Sequence, residues 1–241
     1  MLRLRTLVIG TALAALPALY IRSRILSLER EYPPLPLEST STPELRTPRA
    51  PGLRTDPGDV YATRVPLSAL RRLTRVGAGE ASLEDAWARA FFQSRTIGLE
   101  ATLLGIGSKG NRGEHGFRRG ESVMANAMLI LREPAPGTPM LIEWATPSSL
   151  MQLSETFAAW GWPYKLMNGG RQEWSIGPVT RLPGDDEDMV EIRYGTAQDF
   201  RVVEGEKEPG KSVSPWMLRG HRAYARYLLD ATAKEISGKD A

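Results

Sequence analysis

The sequence predicts an α+β domain with an antiparallel sheet, and three observations predict it. Two helix-period segments precede a central stretch of β-like runs, turn residues separate those runs at hairpin distance, and the chain closes on a long capped helix. Of the 241 residues, about 180 follow an atypical N-terminal stretch, which suits one core rather than two.

The first strand is expected from Asp59, where Val60, Ala62 and Val65 precede Pro66. Ser82 is a good N-cap with Asp85 three residues on, and Leu83, Ala86, Trp87, Ala90 and Phe91 repeat at the spacing of a buried helical stripe. A second helix is expected over Ile97–Leu104. Three hairpins follow. The first joins Ser122–Leu131 to Pro139–Thr146. The second joins Tyr164–Met167 to Gln172–Ile176 through Asn168-Gly169-Gly170, and the third turns Met189–Tyr194 into Asp199–Val203 at Gly195. Between the first two, Leu150, Met151, Leu153, Phe157 and Trp160 suggest an amphipathic helix or lid over Ser148–Trp160. Ser214-Pro215 opens the last helix, expected to run to about Ile236 with Trp216, Gly220, Ala223, Tyr224, Tyr227, Leu228 and Ala231 on its inward stripe.

The N-terminus reads differently. Leu7–Ile21 holds no charge and lies between Arg3, Arg5 and Arg22, Arg24, the pattern of a single-pass membrane anchor over residues 1–30. Its fifteen positions span about 22 Å as a helix against about 30 Å of bilayer core, so a crossing needs snorkelling arginines or a thinned membrane. A signal peptide, with Ala12-Leu13-Ala14 as a small-residue site, and a mitochondrial presequence, free of acid until Glu29, are the alternatives. Residues 31–58 carry seven prolines among Ser, Thr and charges and read as a linker. The globular domain is then expected over residues 59–237.

Composition excludes several classes. The net charge of +3 arises from 31 basic and 28 acidic residues without a basic block, so no nucleic-acid partner is expected. Without cysteine there is no disulfide, thiolate zinc site or Cys nucleophile, and only His115 and His221 offer imidazole. No metal or other cofactor is expected. Gly205–Ser212 spells GxxxxGKS, but Pro209 removes a backbone donor, Pro215 starts the helix too late, and three glutamates would repel a triphosphate, so no nucleotide is expected. Gly105–Gly110 spells GxGxxG after a helix rather than a strand and reads as a loop. Gly184–Asp188 lacks the alternating ligands of a calcium loop and reads as a solvated hairpin tip.

The order of strand, two helices, hairpin sheet and long C-terminal helix resembles the helix-grip fold of the START-like, or SRPBCC, superfamily. The stretches DVYATRVPLSALRR, SLEDAWARAFFQSR and PWMLRGHRAYARYLLD resemble a membrane-anchored, uncharacterised branch of it. The resemblance implies about seven antiparallel strands wrapped around the last helix, two short helices after strand one, and an apolar cavity between sheet and helix. Known members bind lipids, steroids or polyketides, and some are cyclases.

Within such a frame six residues stand out. His221 lies near the stripe of the last helix, and Glu143 is a charge between Ile142 and Trp144; these are the candidate acid–base groups. Asn126 sits in an otherwise apolar run, and Trp144, Trp174 and Tyr224 are aromatics suited to a pocket wall. A structural role in the core is the competing reading for each. The function expected is a membrane-tethered, cofactor-independent cyclase, isomerase or pericyclase acting on an apolar polyketide- or terpenoid-like intermediate of secondary metabolism. The alternatives are a lipid or sterol carrier and a scaffold or assembly factor.

Overall fold

The computed structural model describes residues 19–55, 58–74, 81–103, 111–124, 127–201 and 213–238. The described part of helix α1 covers residues 19–31, followed by two single-turn helices, α2 (Leu37–Thr40) and α3 (Pro43–Arg46). Strands β1 (Leu53–Thr55) and β2 (Asp59–Pro66) lead into α4 (Leu67–Thr74), α5 (Leu83–Gln93) and α6 (Arg95–Leu103). Then come β3 (Ser122–Val123), β4 (Met128–Arg132), β5 (Met140–Ala145), α7 (Ser148–Ala159), β6 (Gly169–Thr180), β7 (Met189–Arg201) and α8 (Pro215–Ile236). The seven strands form one antiparallel sheet in the order β1-β7-β6-β5-β4-β3, with β2 also paired to β7 beside β1. Among the described residues no helix is long and apolar enough to cross a membrane.

The caps form as the sequence predicts. Ser82 Oγ accepts from Asp85 N at 3.1 Å, and Ser214 Oγ accepts from Met217 N at 3.2 Å ahead of Pro215. Each satisfies one of the amide donors that a helix start leaves unpaired. The stripe of α5 buries Ala86, Trp87 and Phe91 against β6 and β5, while α8 covers β2 and β7. Trp87, Phe91, Phe92, Trp174 and Tyr194 form the centre of this inner face, with ring centroids 4.9–5.8 Å apart. Trp87 donates to Arg193 O at 2.9 Å, so its polar edge is satisfied within the core.

Several expectations need correction. The second and third hairpins do not exist. Residues 164–167 are not a strand, β6 runs unbroken from Gly169, and β7 passes straight through Gly195. The true hairpin joins β6 to β7 around residues 181–188, where Asp185 accepts from Leu182 N and pairs with Arg64 at 2.7 Å. The run Ser122–Leu131 is interrupted at Met124, which has φ 53°. Helix α4 was not expected. On α8, Trp216 and Gly220 are exposed and Tyr224 and Tyr227 half-exposed, while Ala225, Arg226, Leu229 and Asp230 are buried.

The largest correction concerns the proline-rich stretch. It is a strap packed on the outer face of the sheet. Leu45 is fully buried against Val60, Leu141 and Ala197, and Thr42 binds the Glu173 carboxylate through its hydroxyl and its amide. Leu35 N pairs with Val60 O at 2.8 Å. The domain also begins before residue 59: Leu28 and Tyr32 are buried, Tyr32 donates to Asp230 at 2.7 Å, and Arg226 Nε donates to Tyr32 O at 2.8 Å. A few apolar residues at spaced positions suffice to bury a proline-rich stretch when a preformed sheet supplies the rest of the core.

Candidate functional site

Strand alternation assigns each polar residue to one face of the sheet. Trp174 and Tyr194 face the helices, so Gln172, Thr196, Gln198 and Asp59 do as well, in register across β6, β7 and β2. Glu143, Arg171, Glu173 and Asp199 face the strap.

The outer face is a sealed ionic layer beside an open groove. Asp199, fully buried, accepts from Arg171 Nη2 at 2.7 Å and from Thr55 Oγ1 at 2.8 Å, and its other oxygen accepts from Arg49 N at 3.3 Å. Glu173 pairs with Arg132 at 3.0 Å and binds Thr42; burial raises its carboxyl pKa, which these partners oppose. Burial likewise lowers the Arg171 pKa, against the pull of Asp199 and Glu143. A groove of about 850 Å³ runs alongside, lined by Arg49, Arg119, Arg132, Glu133, Glu143 and Arg171 among others. Its charges largely offset one another, and Arg132 ties Glu173 to Thr42 and Glu44 of the strap.

The inner face is chemically different at the end where β5, β6 and β7 meet the start of α8. Trp144 lies across Gly170: a Cβ there would come within 3.1 Å of Trp144 Nε1 and would collide with the Ala197 carbonyl. The indole packs, as Leu218 of α8 does, against the cluster of Met167, Phe200 and Val213. One register step along β6 is Gln172, opposite Thr196, and Gln198 lies opposite Gly170. Thr196 and Gln198 are almost fully buried, with 3.5 Å between Gln198 Nε2 and Thr196 Oγ1. His221 is half-buried on α8 beside the Arg222–Asp59 pair, whose Nε–Oδ2 distance is 2.6 Å. Burial lowers the His221 pKa, opposed by Asp59 and reinforced by Arg222, which favours the neutral imidazole.

The backbone stretches 164–167 and 213–218 that frame this region also wall a second cleft, of about 220 Å³, under α7. Leu150, Leu153, Phe157, Trp162, Tyr164 and Met217 line it, and most of its surface is apolar. Ser154 Oγ accepts from Leu166 N at 3.0 Å and fixes α7 over the cleft. The expected helix or lid is therefore present, and it roofs an apolar recess.

The six candidate residues do not assemble into one site. Glu143 lies on the strap side, and the sheet separates it from His221, so the two cannot act on one substrate. Trp174 is a core residue, fully buried among Phe91, Phe92 and Tyr194, with its Nε1 unpartnered. Tyr224 is half-exposed and donates to Glu100 at 2.5 Å on the outside of α8. Asn126 lies outside the described residues. Trp144 and His221 remain as inner-face groups at the start of α8. Sequence reasoning missed Gln172, Thr196 and Gln198, because it set Gln172 just after one supposed turn and the other two in a second. No protein-family model matches this chain, and no curated protein matches it either.

Proposed function

We propose that this chain is a helix-grip binding protein, tethered to a membrane by its N-terminal apolar segment, that receives an apolar small molecule through the cleft under α7. The observation that carries the reading is that cleft, apolar in its lining and adjoining the inner face where Trp144, Gln172, Gln198 and His221 offer a few polar groups. An apolar recess with sparse polar anchors is the usual chemistry of a small-molecule site. The helix-grip assignment draws support from the hairpin order of the sheet, the helices between β2 and β3, and the long helix α8 laid across one face. Met217→Trp adds bulk at a half-exposed cleft position, so it should abolish binding of a fluorescent fatty-acid analogue and leave the melting temperature unchanged. Undiminished binding by the variant would refute the cleft as the point of uptake.

One observation favours a second reading, a cyclase or isomerase acting on a polyketide- or terpenoid-like intermediate. An imidazole whose burial favours the neutral form, carried on the helix that covers the face bearing Thr196 and Gln198, is suited to moving one proton on a substrate folded into a reactive conformer. Deleting the gene and profiling metabolites separates the readings, since an enzyme leaves one uncyclised precursor accumulating and a carrier does not.

A further inference from the structure

Helix α7 leaves the apolar residues of its cleft side half open to solvent. Its small residues Ser154 and Ala158 face the body, while Leu150, Leu153 and Phe157, at helical spacing, are each about half exposed. Beyond its end Trp160 is 76 % exposed and Trp162 59 %. An apolar stripe and tryptophans left open at the rim of a cleft have a partner other than water.

The surroundings of that stripe identify the partner. Met217 closes the cleft beside Leu150 and Phe157, so the first turn of α8, with Trp216 79 % exposed, continues the same surface. Arg219 binds Glu29 of α1 at 2.7 Å, and Tyr32 binds Asp230 farther along, so α1 and α8 run side by side in the same sense. The first described residues of α1 therefore project past the start of α8, where Leu19, Tyr20 and Ile21 are all exposed. These are the last residues of the apolar run Leu7–Ile21, followed by Arg22 and Arg24. Three apolar features thus share one end of the molecule. At the opposite end of the sheet lies the β6–β7 turn with Asp185, Asp186, Glu187 and Asp188.

We infer that α7, the Trp160–Trp162 turn and Trp216 form a bilayer-docking face, on which the domain lies with the cleft mouth against the lipid and the acidic turn pointing away. The inference rests on the membrane-tether reading and adds to it the orientation of the domain. Exposed tryptophans around an apolar stripe match the headgroup boundary, where the ring is buried and its N–H stays wet. Arg22 and Arg24 fit anionic headgroups at the same level, whereas the acidic turn would be repelled by them. An apolar ligand would then reach the cleft without crossing water.

The chain has no cysteine, so single cysteines at Leu153, Trp216 and Leu182 each give one labelling position; Leu182, 52 % exposed beside the acidic turn, is the control. Full-length protein carrying an environment-sensitive fluorophore at each is bound to phosphatidylcholine–phosphatidylglycerol vesicles, and flotation is measured in parallel. Labels at 153 and 216 should shift to the blue and be quenched by nitroxide-bearing lipids, while the label at 182 stays open to aqueous iodide. Phe157→Glu should keep flotation and reduce lipid quenching at 216 to the level seen at 182. Protein that floats with both labels as open to iodide as the control overturns the docking face and leaves the tether standing. Labels shielded from iodide but unquenched by the lipids overturn it in favour of a protein partner or a second copy. Failure to float overturns tether and docking face together.

Discussion

Replacing Asp199 by alanine should test whether the strap belongs to the fold. The carboxylate has no exposed surface and holds Arg171, Thr55 and the Arg49 amide at 2.7, 2.8 and 3.3 Å. Arg171 is itself only 2 % exposed, and its Nε already has no partner. Removing one member of a buried ion pair strands the other charge, which costs about 3–5 kcal/mol. Thr55 and Arg49 would each lose an acceptor, worth about 1 kcal/mol apiece where water does not replace it. Against a total stability of about 5–15 kcal/mol, such a loss moves the urea midpoint far down and leaves the strap open to protease between Pro36 and Gly52. The double variant Asp199→Leu with Arg171→Met removes both charges together and should recover most of the loss. Urea unfolding followed by intrinsic fluorescence measures both variants. A loss under about 1 kcal/mol for Asp199→Ala, the scale of an exposed pair, would refute the buried clasp. So would a double variant as unstable as the single one.

Two further outcomes follow from α8. Burial lowers the folded-state pKa of His221 below its ordinary 6.5, so on acidification the unfolded chain takes up the proton first. Stability should then fall as the pH drops below about 6.5 and level off below the folded pKa; His221→Gln should flatten that part of the melting-temperature profile, and an unchanged profile would reject a buried neutral imidazole. Gly220 is exposed in the middle of α8 with nothing within 4 Å of an added Cβ, so Gly220→Ala should stabilise the chain by about 0.5–1 kcal/mol in urea titration. Destabilisation would place Gly220 against a neighbour after all.

Local signals were legible wherever the physics was local. The Ser82 and Ser214 caps, the α5 stripe and the helix Ser148–Ala159 depend on residues within a few positions of one another, and each formed where expected. The site was less legible. Trp144 and His221 were readable as an aromatic and an imidazole on inward-facing elements. Their neighbours Gln172, Thr196 and Gln198 come together only through the pairing of β6 with β7.

By itself the sequence determined the α+β class, the helices α5, α6, α7 and α8 with the caps of α5 and α8, the strands β2 and β5, and the absence of thiol chemistry. Tertiary structure decided where the glycines belong. Gly195 reads as a turn until the strap is in place, and then it is the position where a Cβ would press to 2.9 Å from Leu45 Cδ2. Gly170 likewise makes room for the Trp144 indole rather than for a two-residue turn. The physical reason is that both faces of the sheet are covered. Alternation of apolar and polar residues marks a strand only when one face meets water. Here the strap buries Arg171, Glu173, Ala197 and Asp199 on the second face, so the middle of β6 and most of β7 read as mixed runs broken by glycine. The partner that gives those runs their meaning lies more than 120 residues away along the chain, in a stretch whose composition looks like a linker.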